Sequence, residues 1–302
     1  MTGLLEDTRE ISAEARYAAA RLELRPGGPD ELELLERSWK STVLRAVWRY
    51  PRRWEVVLKR SDPATAETEA TVHAEILPRI PVRAPQLFGV WRDSRVTWLA
   101  IEDMGDEPPA LEDDRQRTMV SRWLGELHAA SRDLEDVPSL PDRSAWHYAG
   151  LLDRRRARLV ERRSEAANGD DERRLGRAID LCDSLRSLWD AVQLQAALLP
   201  PAFVHADVAA ENLRLVRSAG RLGVTAIDWE KAGIGTPFAD LAIADPAAYA
   251  REAGAPLETV SSSMWVARLL EALSHNWPAK PMSEIERYGR RLQRALGLIR
   301  EL

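Results

Sequence analysis

The sequence predicts an α+β chain in two lobes, a small strand-rich one over 1–104 and a larger, mainly helical one over 105–302. Three observations carry this. The first hundred residues contain short runs rich in β-branched and aromatic residues, such as STVLRAVW and WEVVLK. Beyond Met104 the apolar residues take up helical spacing over long stretches. At 302 residues the chain has the length of two domains of about 100–200 residues each.

The elements follow in order. Residues 4–24 read as an amphipathic helix with Leu4, Leu5, Ile11, Ala15, Ala18, Ala19 and Leu22 on its apolar face, and RPGGP at 25–29 breaks it. Strands at 41–48 and 54–59 flank a hairpin turn at 49–53. Residues 65–77 read as a helix ended by Pro78, and strands at 86–91 and 95–101 surround a turn at 92–94. Helices are then expected at 116–131, 151–167 and 173–198, with NGDD at 168–171 as the break between the last two. Short strands return at 202–205, 213–216 and 224–228, and the pattern is helical again from Phe238.

Composition excludes several classes. Apolar residues make up 45% and charged residues 30%, enough for a core and too apolar for a disordered chain. A formal charge of −5 argues against a general nucleic-acid binder. The single cysteine, Cys182, leaves no disulfide framework and no cysteine-rich zinc site. No apolar run approaches the ~20 residues of a membrane span. The N-terminus carries acids where a signal peptide carries bases, so a soluble, cytoplasmic protein is the expectation. Of 43 basic residues only Lys40, Lys59, Lys231 and Lys280 are lysines, so a lysine inside an apolar run draws attention.

The segment 203–230, FVHADVAAENLRLVRSAGRLGVTAIDWE, carries the chemistry. An apolar strand delivers His205 and Asp207 into a loop, Asn212 follows five residues later, and a hairpin-like strand pair ends at Asp228. An aspartate beside a side-chain amide can orient or deprotonate a hydroxyl, while the amide oxygen and a second aspartate give hard-oxygen ligands for Mg2+ on a nucleotide's phosphates. Singly, each residue also fits a turn or a cap; the spacing H-x-D-x4-N followed by I-D-W-E is what favours catalysis.

This pattern resembles the catalytic core of the aminoglycoside phosphotransferase/choline kinase family, small-molecule kinases with a protein-kinase-like fold. The resemblance implies Asp207 as the catalytic base and Asn212 and Asp228 as magnesium ligands, with His205 buttressing the loop. It implies that Lys59, ending WEVVLK, grips the nucleotide's phosphates and that Glu69 on the next helix pairs with it. The backbone of Glu102–Met104, entering the hinge between lobes, would bond the nucleotide base. The donor would be ATP or GTP, bound between the lobes, and the acceptor a hydroxylated small molecule, an antibiotic or a sugar- or nucleoside-like metabolite. No nucleic acid or membrane partner is implied.

Three positions depart from the family pattern. Ala206 replaces the glycine after the histidine, which strains the backbone if φ is positive there. The phosphate-covering loop at 36–41 has no glycine; Ser38 and Ser41 fit phosphate donors and turn residues equally. Glu230 fits a metal or substrate contact, or an exposed side chain. The arginine-laden helix after Leu151 and the tail from Lys231 show no acidic surplus, which argues against a strongly cationic acceptor. Trp146, Trp229, Trp265 and Trp277 could wall a substrate or pack helices. Alternatives are a choline- or homoserine-type kinase and, in another class, an inactive kinase-like binding module; a protein kinase is disfavoured because no Asp-Phe-Gly segment is present.

Overall fold

The computed structural model describes residues 2–132, 134, 140–218 and 220–301, with side chains described from residue 9 onward apart from 218. The chain divides into two compact units, one of Met1–Pro108 with Leu213–Glu230, the other of Pro109–Asn212 with Lys231–Leu302.

In the first unit α1 (Thr2–Arg21) precedes strands β1 (Glu31–Arg37), β2 (Ser41–Trp48), β3 (Trp54–Ser61), β4 (Leu87–Arg92) and β5 (Thr97–Glu102), with α2 (Pro63–Thr71) after β3. All five strands pair antiparallel in the order β1-β2-β3-β5-β4. Side chains alternate between the faces of a sheet. Leu44, Ala46, Trp48, Val56, Leu58, Trp98 and Ala100 therefore share one face, where Ile11, Ala15, Ala18 and Ala19 of α1 cover them. The expected helix face is borne out from Ile11 onward; Leu4 and Leu5 lie outside the described side chains. Leu99 and Ile101 point the other way, onto Ala66 and Ala70 of α2. Lys59 opposes Leu99 in the register, so the pleat delivers it to the α2 face, where Glu69 is buried. Helix α2 starts at Pro63 with Asp62 as cap, its carboxylate accepting from the Thr65 N–H at 3.0 Å.

Strand β1 went unread in the sequence because Glu31, Glu33, Glu36 and Arg37 leave it highly charged and without β-branched residues, as befits an exposed edge strand. The hairpin β8 (Leu213–Ser218) and β9 (Arg221–Ala226) belongs by its contacts to the first unit, whereas the sequence reading grouped it with the second lobe. Hydrogen bonds explain the difference. The Leu215 N–H donates to the Glu107 carbonyl (2.8 Å), and the Thr225 hydroxyl to the Arg83 carbonyl (2.9 Å).

The second unit is mainly helical: α3 (Asp114–Ser131), α4 (Ala145–Ser164), α5 (Gly169–Ser187), α6 (Trp189–Ala196), α7 (Pro246–Ala253), α8 (Leu257–Ser262), α9 (Met264–Ser274) and α10 (Met282–Ile299). The single helix expected over 173–198 is two, broken at Leu188. Cys182 is buried on α5, and burial pushes its thiol up to about 12, so it packs as an inert apolar group.

A three-stranded sheet lies among these helices, β6 (Asp142–Arg143), β10 (Gly233–Gly235) and β7 (Ala202–Val204), with β10 central, parallel to β6 and antiparallel to β7. That direction sets the chemistry. The C-terminal end of β7, which leads to His205 and Asp207, pairs with the N-terminal end of β10, just after Lys231, while Arg143 pairs with Gly235 at the other end of β10 and reaches back through its side chain to the Lys231 carbonyl at 2.6 Å. β10 can lie between its neighbours only because it is Gly-Ile-Gly. A Cβ on Gly233 would sit 2.1 Å from the Pro141 carbonyl oxygen, and one on Gly235 2.1 Å from the Arg143 backbone.

Candidate active site

The predicted site residues fall into two groups, one in each unit. In the first unit the Lys59 ammonium lies 2.6 Å from Glu69 Oε2 and 2.5 Å from Asp228 Oδ1. Lys59 is 6% exposed and Glu69 1% exposed, so this is a buried cation between two carboxylates. Burial pulls the ammonium down, but Glu69 and Asp228 outweigh it and its pKa ends above the ordinary value. Burial pushes the Glu69 carboxyl up, against the pull of Lys59. Asp228 sits at φ +62°, a left-handed backbone that aspartate tolerates better than most residues and that turns its side chain back toward Lys59.

Glu230 is half-buried rather than exposed, its side chain 10% accessible and 2.9 Å from the Lys40 ammonium. Lys40 belongs to the turn between β1 and β2. There the Ser38 hydroxyl accepts the N–H groups of Lys40 (3.2 Å) and Ser41 (3.1 Å) and lies 3.3 Å from the Ser41 hydroxyl. Both serines thus hold the turn closed. The lysine between them, unremarked by its sequence context, reaches the site.

Glu102 spends its carboxylate on Arg83 and on the Gln86 N–H, and its own N–H on the Gln86 carbonyl at 2.8 Å. Among the described residues no hydrogen bond reaches the Met104 backbone. The segment is fixed by Arg45, whose guanidinium bonds Asp103, Asp106 (2.6 Å) and Glu33 (3.1 Å). Hydrogen bonds to Asp103 and Asp106 raise its pKa further above an already high value. Nothing in the spacing of Arg45 pointed to this.

In the second unit Asn212 donates through Nδ2 to the Asp207 carbonyl (2.9 Å) and to Asp207 Oδ2 (3.2 Å). The amide oxygen is the atom left over for a cation. Lys231 lies 2.8 Å from the same Asp207 Oδ2, with the Asp207 side chain 20% exposed. His205 is fully buried. The loop before Asp207 is tied down by Asp240, whose carboxylate accepts from the His205 N–H (2.8 Å) and the Ala206 N–H (2.7 Å) and contacts His128 Nε2 at 3.1 Å. Ala206 has φ +61°, so the positive-φ position expected from the missing glycine is real.

Among the described residues no cluster of three or more His, Cys, Asp or Glu could by itself hold a metal ion. Asn212 in the second unit and Asp228 in the first each carry a hard oxygen of the kind that Mg2+ takes. The tryptophans divide: Trp229 and Trp277 are fully buried and Trp265 is 6% exposed, so these three pack the interior, while Trp146 is 64% exposed.

A model of the phosphotransferase enzyme family matches residues 31–280. Choline kinase from Cryptosporidium parvum Iowa II superposes with a TM-score of 0.63 at 14% identity, over 90% of this chain and 89% of that one. Macrolide 2′-phosphotransferase MphH from Brachybacterium faecium gives 0.53 at 19% identity, over 92% and 97%. Aminoglycoside phosphotransferase APH(3″)-Id from Streptomyces rimosus gives 0.52 at 17% identity, over 95% and 98%. At these identities the likeness is one of fold, protein-kinase-like and α+β as the sequence predicts. No curated protein sequence matches the chain.

Proposed function

The chain belongs to the phosphotransferase enzyme family, and from that premise we propose that it transfers the γ-phosphoryl group of a nucleoside triphosphate, ATP or GTP, to a hydroxyl of a small molecule. The observation that carries this reading is the Lys59 ammonium, buried between Glu69 and Asp228. A buried ion pair adds little to stability once its desolvation is counted. A charge held there in a fixed position suits binding phosphate oxygens.

Each residue then has a task. Lys59 binds the phosphates, oriented by Glu69. The Met104 backbone, unbonded among the described residues, is available to the nucleotide base. The oxygens of Asn212 and Asp228 would hold Mg2+, which when bound neutralises charge on the phosphates. Asp207, held by Asn212 and by the loop that Asp240 anchors, orients the acceptor hydroxyl and takes its proton. The acceptor oxygen forms its bond to the γ-phosphorus as the bond to the bridging oxygen breaks, and the nucleoside diphosphate leaves with that electron pair. Little covalent work falls to the protein; positioning and electrostatics supply the rate. Among the described residues no helix is long and apolar enough to cross a membrane.

The test is Asp207→Asn. Turnover across a panel of hydroxyl acceptors should fall by about 10²–10⁴-fold, while nucleotide affinity by calorimetry stays within a few fold. Unchanged turnover overturns the assignment. Nucleotide binding without turnover in the unsubstituted protein points to an inactive binding module.

A further inference from the structure

Beside Asp207 the second unit places a partly exposed cation, while the neighbouring acid, Asp240, is buried. Lys231 Nζ lies 2.8 Å from Asp207 Oδ2. The Lys231 carbonyl accepts from Arg143 Nε at 2.6 Å. Arg143 spends Nη1 on the Asp142 carbonyl (3.1 Å), 3.5 Å from His147 Nε2, and has no carboxylate partner among the described residues. Arg154 lies one turn beyond Gly150 on the same stripe of α4 as His147, exposed and likewise without a carboxylate partner among the described residues. Burial, then the charges of Arg143 and Arg154, hold the His147 imidazole down at about 4, so at neutral pH it adds no charge and reports two cations beside it. Two further acids at this sheet are committed elsewhere: Asp240 is buried against the His205 and Ala206 N–H groups and His128, and Asp142 accepts from the Ser144 N–H (2.8 Å) and hydroxyl (2.9 Å). The other arginines of α4 divide: Arg156, Arg158 and Arg163 are neutralised by Asp183, Glu161 and Glu172, while Arg155 and Arg162 bond only backbone carbonyls.

The sheet explains this clustering. Val204, which leads to Asp207, pairs with Gly233, just after Lys231, and Arg143, paired with Gly235, turns its guanidinium back to the Lys231 carbonyl. We propose that the phosphate acceptor carries, besides its hydroxyl, an oxyanion group, a carboxylate or a phosphate, and that Lys231, Arg143 and Arg154 bind it. This rests on the phosphotransfer reading and deepens it by naming the acceptor class. An ammonium-bearing acceptor would have to approach Asp207 past three cations. An anionic one is attracted by them, and by drawing Lys231 onto itself it frees the Asp207 oxygen that must receive the hydroxyl proton.

The test offers the purified protein four acceptor sets with nucleotide and Mg2+: hydroxy and sugar acids, sugar and polyol monophosphates, neutral sugars and nucleosides, and amino alcohols with aminoglycosides. The highest kcat/KM is expected in the first or second set, and which of the two wins separates carboxylate from phosphate. Arg154→Glu, on the exposed face of α4, should raise the KM for the best acceptor about tenfold or more, as loss of a charge-assisted contact implies. The nucleotide KM should not move, and Arg154→Lys should recover much of the effect. Lys231→Met should raise the acceptor KM as well. Preference for neutral or cationic acceptors, or an acceptor KM indifferent to Arg154→Glu, overturns the inference and leaves the phosphotransfer reading standing. Nucleotide binding without turnover of any set fails the phosphotransfer reading itself, and the inference falls with it.

Discussion

The Asp240 carboxylate accepts a 2.7 Å hydrogen bond from the backbone of Ala206, a residue held at φ +61°. The carboxylate fixes a left-handed turn just before Asp207, at a position whose Cβ resists that conformation. Such a backbone costs an alanine about 1–2 kcal/mol, and glycine returns about 0.5–1 kcal/mol of that through its freer unfolded chain. Ala206→Gly should therefore stabilise the protein by up to roughly 1 kcal/mol. In urea the midpoint should rise with an unchanged slope. A lower midpoint would show that the alanine methyl, nearly buried here, contributes more by packing than it costs in strain.

Glu69 and Asp228 compete for one ammonium, and only Glu69 is buried with it. Glu69→Gln keeps the volume and removes the charge, leaving Lys59 drawn toward Asp228. The nucleotide KM should rise about tenfold, since a charge-assisted hydrogen bond is worth about 1.5–3 kcal/mol. Glu69→Ala should cost more in stability, about 3–5 kcal/mol, because it strands a buried charge. A nucleotide KM unmoved by either change removes Lys59 from phosphate binding.

Much of this was legible in the sequence because it is local. The pleat of WEVVLK puts Lys59 opposite the face that carries Leu58, and H-x-D-x4-N spans a single loop and a 3-10 turn. The absence of glycine at 206 announced the strained φ. What the sequence withheld depends on which strand ends meet. Lys40 reaches Glu230 across 190 residues of sequence, and Arg143 reaches Lys231 across 88. No spacing rule connects such pairs; only the folded packing of distant segments does. The signal that could have marked the second pair was Gly233-Ile-Gly235, since two glycines on one face of a strand ask for close backbone approach there, and here both meet the segment of Pro141 and Arg143.

His73 is buried beneath the first unit's sheet, its Nδ1 3.3 Å from the Pro85 carbonyl. Burial lowers its pKa from 6.5 to about 4, with the Lys59 charge adding to the effect. The folded chain thus refuses a proton that the unfolded chain accepts below about pH 6.5. Stability from this group is fully present above that pH and declines as the pH falls toward 4, by roughly 3 kcal/mol in all. His73→Asn should lose some stability at neutral pH and flatten the profile between pH 6.5 and 4. An unchanged acid slope in urea titrations at several pH values would assign the acid sensitivity to other groups.

Gly235 and Arg143 give the sharpest test of the small sheet. Glycine inside a strand is ordinarily a loss, and alanine there should gain about 0.5–1 kcal/mol. At Gly223 that expectation applies, since an added Cβ would meet only Val216, at 3.9 Å. At Gly235 the same methyl would fall 2.1 Å from the Arg143 carbonyl, which belongs to backbone and cannot swing aside. The two glycine-to-alanine changes should therefore have opposite signs. Gly223→Ala should be neutral or mildly stabilising, while Gly235→Ala should cost at least the 1–3 kcal/mol typical of overpacking. Because β6 must move to relieve the clash, Arg143 moves with it and takes its hydrogen bond away from the Lys231 carbonyl. If any Gly235→Ala protein remains folded, its acceptor KM should rise while its nucleotide KM holds. Equal stability for the two variants would mean that β6 does not pack on β10 as closely as these distances require.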